Sequence, residues 1–299
     1  MQMLKPNERR WREVLLSLPS LAWFTVFLLI PTIMLFAIAF RPADSYGNIG
    51  DGWTLDTLRR MYEPNYPAII WRTFWLSAVA TGICMAVSIP VGYCLARISQ
   101  RWRQWIMLAI MIPFWTNFLI RVFAWKSILA TNGSFRQALV WVGLLGEDQP
   151  ILYTSAAILM VMVYTYLPFA ILPIYAAAEK FDFNLLEAAR DLGCSSLGSF
   201  LRVFLPGISR GLMTAFIMVM VPCLGSYVIP DLVGGTTSEM IGNKIAQFVY
   251  TERNLPRASA LAAILTVVVV ALLMAFLWWS YRKGGQPNKV KGGKEGIFS

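Results

Sequence analysis

The run from Ala260 to Trp279 holds twenty consecutive residues without a single charge. Wound as an α-helix it is about 30 Å long, the thickness of the hydrocarbon core of a bilayer. A helix on a soluble protein carries one apolar stripe, whereas this segment is apolar all round and must face lipid or other helices. Five further stretches read the same way, and the six spans are predicted at about 17–40, 69–96, 105–128, 151–178, 208–230 and 258–281. In hydrocarbon each backbone N–H and C=O must be satisfied internally, and runs of this length do that as helices. The predicted fold class is an all-α integral membrane protein with six transmembrane helices. Composition agrees: 57% of residues are hydrophobic and 14% are charged, where a soluble domain has about one quarter charged.

Charge placement orients the chain, because basic residues concentrate in cytosolic loops. With the N-terminus inside, the inner segments hold sixteen of the 26 basic residues and seven of the 16 acidic ones, a net +9 inside against +1 outside. The sequence therefore predicts cytosolic N- and C-termini. The overall +10 follows from this asymmetry without a nucleic-acid partner. The segment 1–16 is a basic cytosolic N-terminus, and 17–68 comprises the first span and a solvated outer loop. The apolar run from Leu15 to Phe40 is too long for the core of a cleavable signal peptide, so it reads as a span that directs its own insertion. The tail 282–299, rich in Lys and Gly, reads as disordered and drawn to anionic lipid.

Several chemistries are missing. There is no histidine, and the four cysteines (Cys84, Cys94, Cys194 and Cys223) form no CxxC pair. They read as buried apolar groups without a disulfide. There is no GxxxxGK[ST] phosphate loop, HExxH or GxSxG. The predicted spans place no ionisable side chain near the bilayer midplane, where a membrane-embedded hydrolase or transferase would need one. An ion-coupled carrier meets the same difficulty. The expectation is a protein with no catalytic residues, no metal and no cofactor of its own.

One polar island interrupts the apolar runs: Glu187-Ala188-Ala189-Arg190-Asp191-Leu192-Gly193, followed by Leu205-Pro206. Asn184 is placed to cap a helix, with Glu187 three residues on to close a capping box. Leu185, Leu186, Ala188, Ala189 and Leu192 form its apolar stripe, and Gly193 suits the left-handed residue that ends it. A second short helix can start at Ser195 or Ser196 and stop near Pro206. Locally this is either a rigid knob for a partner protein or an ordinary connector.

The island resembles the EAA loop of ATP-binding-cassette importer permeases: Glu-Ala-Ala, three residues, Gly, nine residues, Ile, one residue, Leu-Pro. Val203 stands where that pattern has Ile. The resemblance implies that Glu187, Ala188, Ala189, Gly193, Val203, Leu205 and Pro206, within a cytosolic loop at 180–207, couple the chain to an ATPase. Pro113 to Arg121, Tyr164 to Phe169, Leu186 to Gly193 and Val228 to Gly235 also resemble the first permease subunit of spermidine/putrescine importers. By that resemblance, 69–281 is a type I (MetI-like) permease domain in a bacterial inner membrane. Its partners would be a second permease subunit in a heterodimer, two copies of a cytosolic ATPase carrying ATP and Mg, and a periplasmic polyamine-binding protein. Related permeases for iron, sulfate, phosphate and sugars share the loop and stand as the alternative.

A polycation crossing a low-dielectric path favours ring faces, carbonyls and a few acids. Trp115, Asn117, Tyr164, Tyr166, Tyr227 and Asp231 are candidates to line such a path, although membrane aromatics also serve packing and interfacial roles. Pro31, Pro90, Pro113, Pro168, Pro173 and Pro222 should kink their helices, either shaping the bundle or opening a cavity. Arg121, sixteen residues into the third span, should lie about 24 Å along a straight helix and snorkel to the outer interface. After Gly234-Gly235, Thr236 and Glu239 have capping-box spacing. Ile241, Ile245, Phe248 and Val249 follow on an amphipathic helix expected at the outer interface.

Overall fold

The computed structural model describes residues 17–284 apart from 45–46, 60, 62–64, 144–145 and 147–148. The basic segment 1–16 and the tail from 285 lie outside the described residues. Helix α1 covers Ser17–Ala39, with a π turn at Thr25–Leu29 just ahead of Pro31. Helix α2 runs Asn65–Arg97, α3 Gln100–Met111, α4 Phe118–Leu129 and α5 Ser134–Trp141. Helix α6 spans Ser155–Glu179 and carries Pro168 and Pro173 inside it. Then come α7, Asn184–Asp191, and α8, Ser196–Gly207. Last are α9, Ser209–Leu224, α10, Val228–Val233, α11, Ile241–Tyr250, and α12, Leu255–Gly284.

Helices α2, α6 and α9 share the main core. Ala80 and Cys84 from α2 meet Ala157, Ala170 and Ile174 from α6, and Ala215 and Val219 from α9, all at 5% exposure or less. Lipid supplies no hydrophobic drive between helices, so close backbone approach through small side chains holds them together. A β-carbon on Gly211 would stand 2.3 Å from Ala177 Cβ, and one on Gly92 2.7 Å from Ile174 Cγ2. Helix α1 packs its Ala39 end on Ala260 and Ala263 of α12 and is otherwise exposed along its apolar length.

The third span is not one helix. Pro113 opens a 3-10 turn at Ile112–Trp115, Thr116 is extended, and Asn117 starts α4 afresh by accepting the Leu119 N–H at 2.8 Å. The two halves meet at 92°. The straight-helix position expected for Arg121 therefore does not hold. Its guanidinium carbon sits 4.8 Å over the Phe114 ring, with Nε and Nη1 buried and without a hydrogen-bond partner. The fifth span is also interrupted, at Gly225–Tyr227, before α10.

Three smaller expectations change. The Thr236–Glu239 capping box does not form. Residues Thr236–Ser238 make a 3-10 turn, and the Asn243 side chain accepts the Met240 N–H at 2.6 Å, because the true helix starts at Ile241. Helix α11 does not lie free at an interface: Ile241 and Phe248 are buried against Ile69, Ala258 and Leu261. And the last helix continues through Gly284, past the expected start of the tail at 282. The first loop is tied down: Gly47 accepts the Leu255 N–H at 3.3 Å, and Thr57 donates to the Arg41 carbonyl at 3.0 Å.

Candidate coupling surface

The chain between α6 and α9 folds back on itself as a knob at one end of the bundle. Asp182 Oδ1 accepts the Asn184 N–H at 3.1 Å, and Phe183 holds the N-cap position. Asn184 is thus the first helical residue of α7 rather than its cap, and the expected capping box with Glu187 is not made. The physical reason lies in Phe183, whose ring is held against Phe181 at 5.4 Å and Tyr93 at 5.9 Å and fixes where the chain enters the helix.

The other end of α7 closes as the sequence suggests. Gly193 has φ +88°. Its N–H donates to the Arg190 carbonyl at 2.8 Å, and the Cys194 N–H donates to the Ala189 carbonyl at 3.0 Å. This pair of bonds is the Schellman arrangement, in which a left-handed residue lets the last carbonyls of a helix be satisfied. Ser195 then caps α8, its Oγ accepting the Gly198 N–H at 3.0 Å. Helix α8 loosens into a π turn at Phe200–Phe204, tightens again at Leu205–Gly207, and meets α9 at 72°. Pro206 falls in that final turn.

A cluster of aromatic rings fastens the knob to the bundle. Tyr93, near the end of α2, meets Phe204 edge-on at 5.0 Å and Phe200 at 5.3 Å. Phe200 and Phe204 stack on each other at 5.2 Å, and Phe204 is fully buried. Arg97 lies 5.4 Å over the Tyr93 ring and donates to its hydroxyl at 2.6 Å. A β-carbon on Gly207 would stand 2.4 Å from the Phe181 ring, so the glycine lets that ring lie flat on the turn. At the same end Arg103 pairs with Glu179 at 2.6 Å, and the Tyr175 hydroxyl donates to the same carboxylate oxygen at 2.7 Å. The polar island alone did not point to this clasp. The signal available was Phe181, Phe183, Phe200 and Phe204 flanking it on both sides.

The knob's outer side is apolar and uncovered. Leu192 is 90% exposed, Leu197 68%, Leu185 51% and Leu201 50%, whereas Leu186 on the same helix is 4% exposed. The single apolar stripe expected on α7 is therefore two faces. Leu186 packs into the bundle, and Leu185, Ala188 and Leu192 look outward. Glu187, Ala188, Gly193 and Pro206 are exposed, while Ala189, Val203 and Leu205 are half-buried. This is a leucine-crested surface that also exposes the carboxylates of Glu187 and Asp191, suited to seating in a groove of another protein.

The pathway candidates do not come together as one wall. Trp115 is 82% exposed at the break in the third span, and Asn117 is engaged as a helix cap. Tyr164 packs on Trp125 at 5.3 Å, and Tyr166 is buried with its hydroxyl donating to the Pro222 carbonyl at 3.4 Å. Two residues apart on one helix, these tyrosines point about 200° apart. Tyr227 is half exposed at the break before α10, and Asp231 is exposed on that short helix.

Residues 88–281 match the family described as the binding-protein-dependent transport system inner membrane component. The chain belongs to that family. It is 33% identical over 255 residues, covering 85% of this chain and 89% of the relative, to the spermidine/putrescine transport system permease protein PotB of Haemophilus influenzae. The PotB protein of Escherichia coli is 32% identical over 254 residues, covering 85% of this chain and 92% of its own. The inner membrane ABC transporter permease protein YdcU of Escherichia coli is 28% identical over 280 residues and 88% of each chain. Among solved structures, a bacterial ABC transporter that imports the acidic polysaccharide alginate superposes with a TM-score of 0.71 at 18% identity, covering 92% of this chain and 96% of its own. That likeness is one of fold. The inner membrane component described here has the type I importer permease architecture, with each of its two bent helix pairs counted as one span.

Proposed function

We propose that this chain is one of two permease subunits of an ATP-driven polyamine importer, and that the knob formed by α7 and α8 is its coupling element. The observation that carries the reading is an uncovered leucine crest on a knob clamped to the bundle by buried rings, in a chain about one third identical to spermidine/putrescine permeases. A clamped knob transmits displacement: a partner that moves the crest also moves α2 and α6 through Tyr93, Phe183 and Phe204. ATP is bound and hydrolysed, with Mg, on a separate cytosolic subunit present in two copies. A polyamine-loaded binding protein docks at the opposite end. ATP closes the ATPase pair, the knobs follow, and the two permeases open outward; hydrolysis resets them inward. The translocation path runs between this chain and the second permease, which accords with Trp115 and Tyr227 facing outward from a single chain.

Uptake of labelled putrescine and spermidine tests the reading, in a strain deleted for this permease and unable to make polyamines. Loss of uptake of either amine, restored by the gene, is the expected outcome. Undiminished uptake of both, with loss of iron, sulfate, phosphate or a sugar, would sink the substrate assignment.

A further inference from the structure

At the end of the bundle opposite the knob, a cleft of about 320 Å³ opens between the first two turns of α2 and the segment leading into α11. Its charged lining is Arg72, Glu239 and Lys244, with Tyr66, Ile69 and Thr236 completing the walls. The walls are fixed to each other, because the Ile241 N–H donates to Thr73 Oγ1 at 2.9 Å. The charges, by contrast, are not paired. Arg72 Nη1 makes one long contact, 3.5 Å, to the Glu239 backbone carbonyl. Lys244 Nζ donates to Gln247 Oε1 at 2.8 Å and lies 5.2 Å over the Phe248 ring. Among the described residues the one ion pair is Arg103 with Glu179, so the Glu239 carboxylate bonds neither cation of its own cleft. An arginine has five N–H donors and a lysine three, so most of the donors in the cleft remain open.

We propose that this cleft binds the headgroup of a phospholipid with a primary ammonium, phosphatidylethanolamine in chemical type. Three observations fix the occupant. The first is depth: Trp71 and Trp75 flank Arg72 on α2 and are 67% and 57% exposed. Exposed tryptophan marks the level where lipid headgroups meet hydrocarbon. The second is charge order. Two cations flank space for a phosphate, which takes charge-assisted hydrogen bonds from guanidinium and ammonium donors. A carboxylate in the same cleft provides the acceptor for a terminal ammonium. The third is the outward apolar face formed by Trp71, Phe74 and Trp75, along which acyl chains can lie. Alternative occupants fit worse. A transported polycation meets two like charges, an anionic glycerol headgroup meets Glu239, and a quaternary ammonium has no N–H to give it. The site is thus distinct from the solute pathway, and the inference stands whichever solute is carried.

The test is lipid competition on the purified full-length protein with its partner subunits. After delipidation in detergent, it is titrated with dioleoyl phosphatidylethanolamine, phosphatidylglycerol and phosphatidylcholine, and retained lipid is counted by native mass spectrometry. The expected result is one retained phosphatidylethanolamine, held about tenfold more tightly than either competitor, the ratio that one charge-assisted hydrogen bond supplies. R72Q with K244Q should abolish that retention. E239Q should lower phosphatidylethanolamine binding and raise phosphatidylglycerol binding, a reversal that general unfolding cannot produce. Equal retention of the three lipids, unchanged binding by the double variant, or no reversal in E239Q would overturn the proposal. So would displacement of the lipid by equimolar phosphoethanolamine, which would mark a site for a soluble anion.

Discussion

At Gly193 the backbone conformation and the side-chain space make separate demands. Its φ of +88° is left-handed, which costs any residue with a β-carbon on the order of 1 kcal/mol. Yet a β-carbon added there meets nothing within 4 Å. Gly193→Ala is therefore expected to fold, insert and retain most uptake. Gly193→Asp should also insert in the membrane but should abolish both uptake and binding-protein-stimulated ATP hydrolysis, because its carboxylate projects into the docking interface. Reconstituted complexes at matched permease levels separate the two outcomes, and near wild-type transport by Gly193→Asp would reduce the knob to a connector. Leu192, 90% exposed, makes a complementary probe. Leu192→Glu removes no buried contact, so thermal unfolding of the isolated chain should stay within a degree or so while stimulated ATP hydrolysis falls at least tenfold. Leu186→Glu, at a 4% exposed position, should instead lower the unfolding temperature.

At the scale of the helical hairpin, the clasp turns local geometry into a rigid lever. Phe204 lies under Tyr93, Phe181 and Phe183 with no exposure of its own. Phe204→Ala should cost about 3–5 kcal/mol of local packing, as large-to-small changes of buried aromatics do. Limited proteolysis between residues 180 and 207 should then become much faster while the rest of the chain stays protected; an unchanged cleavage rate would mean that the knob stands without the clasp. How far such features can be read from sequence depends on their range. The glycine turn was legible at Gly193 because a left-handed helix stop is set by the residues that form it. The cap expected at Asn184 falls one residue earlier, at Phe183, since a clamp from Tyr93, some ninety residues away, decides where the chain enters the helix. The break at Pro113–Asn117 was masked by apolarity. A proline and an Asn cap were visible, but uniform hydrophobicity averaged them into one span. The pathway candidates rest on side-chain chemistry, and chemistry carries no information about which way Tyr164 and Tyr166 face.

For the whole molecule, the contacts set the parity of the spans without reference to a membrane. The C-terminal ends of α2 and α6 lie together, since Tyr93 touches Phe183, four residues past the end of α6, and Arg103 pairs with Glu179. These two helices therefore run in the same direction, so the chain between them, α3 through α5, must return across the bundle. The bent pair at 92° is thus a crossing and not a hairpin that re-enters on one side. The second bent pair crosses as well: α9 starts beside the knob, and the carbonyl of Val233, which closes α10, accepts the Tyr153 N–H at the head of α6. Helix α1 ends against the start of α12. Six crossings follow, an even number, with Ser17 at the start of α1 and Gly284 at the end of α12 both on the knob's side. We propose that the knob's side faces the cytosol, on the +9 to +1 division of charge and the preference of basic loops for the inside. The expectation is that Ser196→Cys on the knob labels with a membrane-impermeant maleimide in inverted vesicles and not in intact cells stripped of their outer membrane. Thr237→Cys, at the opposite end, should label in the intact cells alone. The background for both is a variant with the four native cysteines replaced by serine or alanine. If both introduced cysteines label from one side, the bent pair formed by α8 and α9 does not cross. If their sides are exchanged, the charge argument fails, and the knob would face away from any source of ATP.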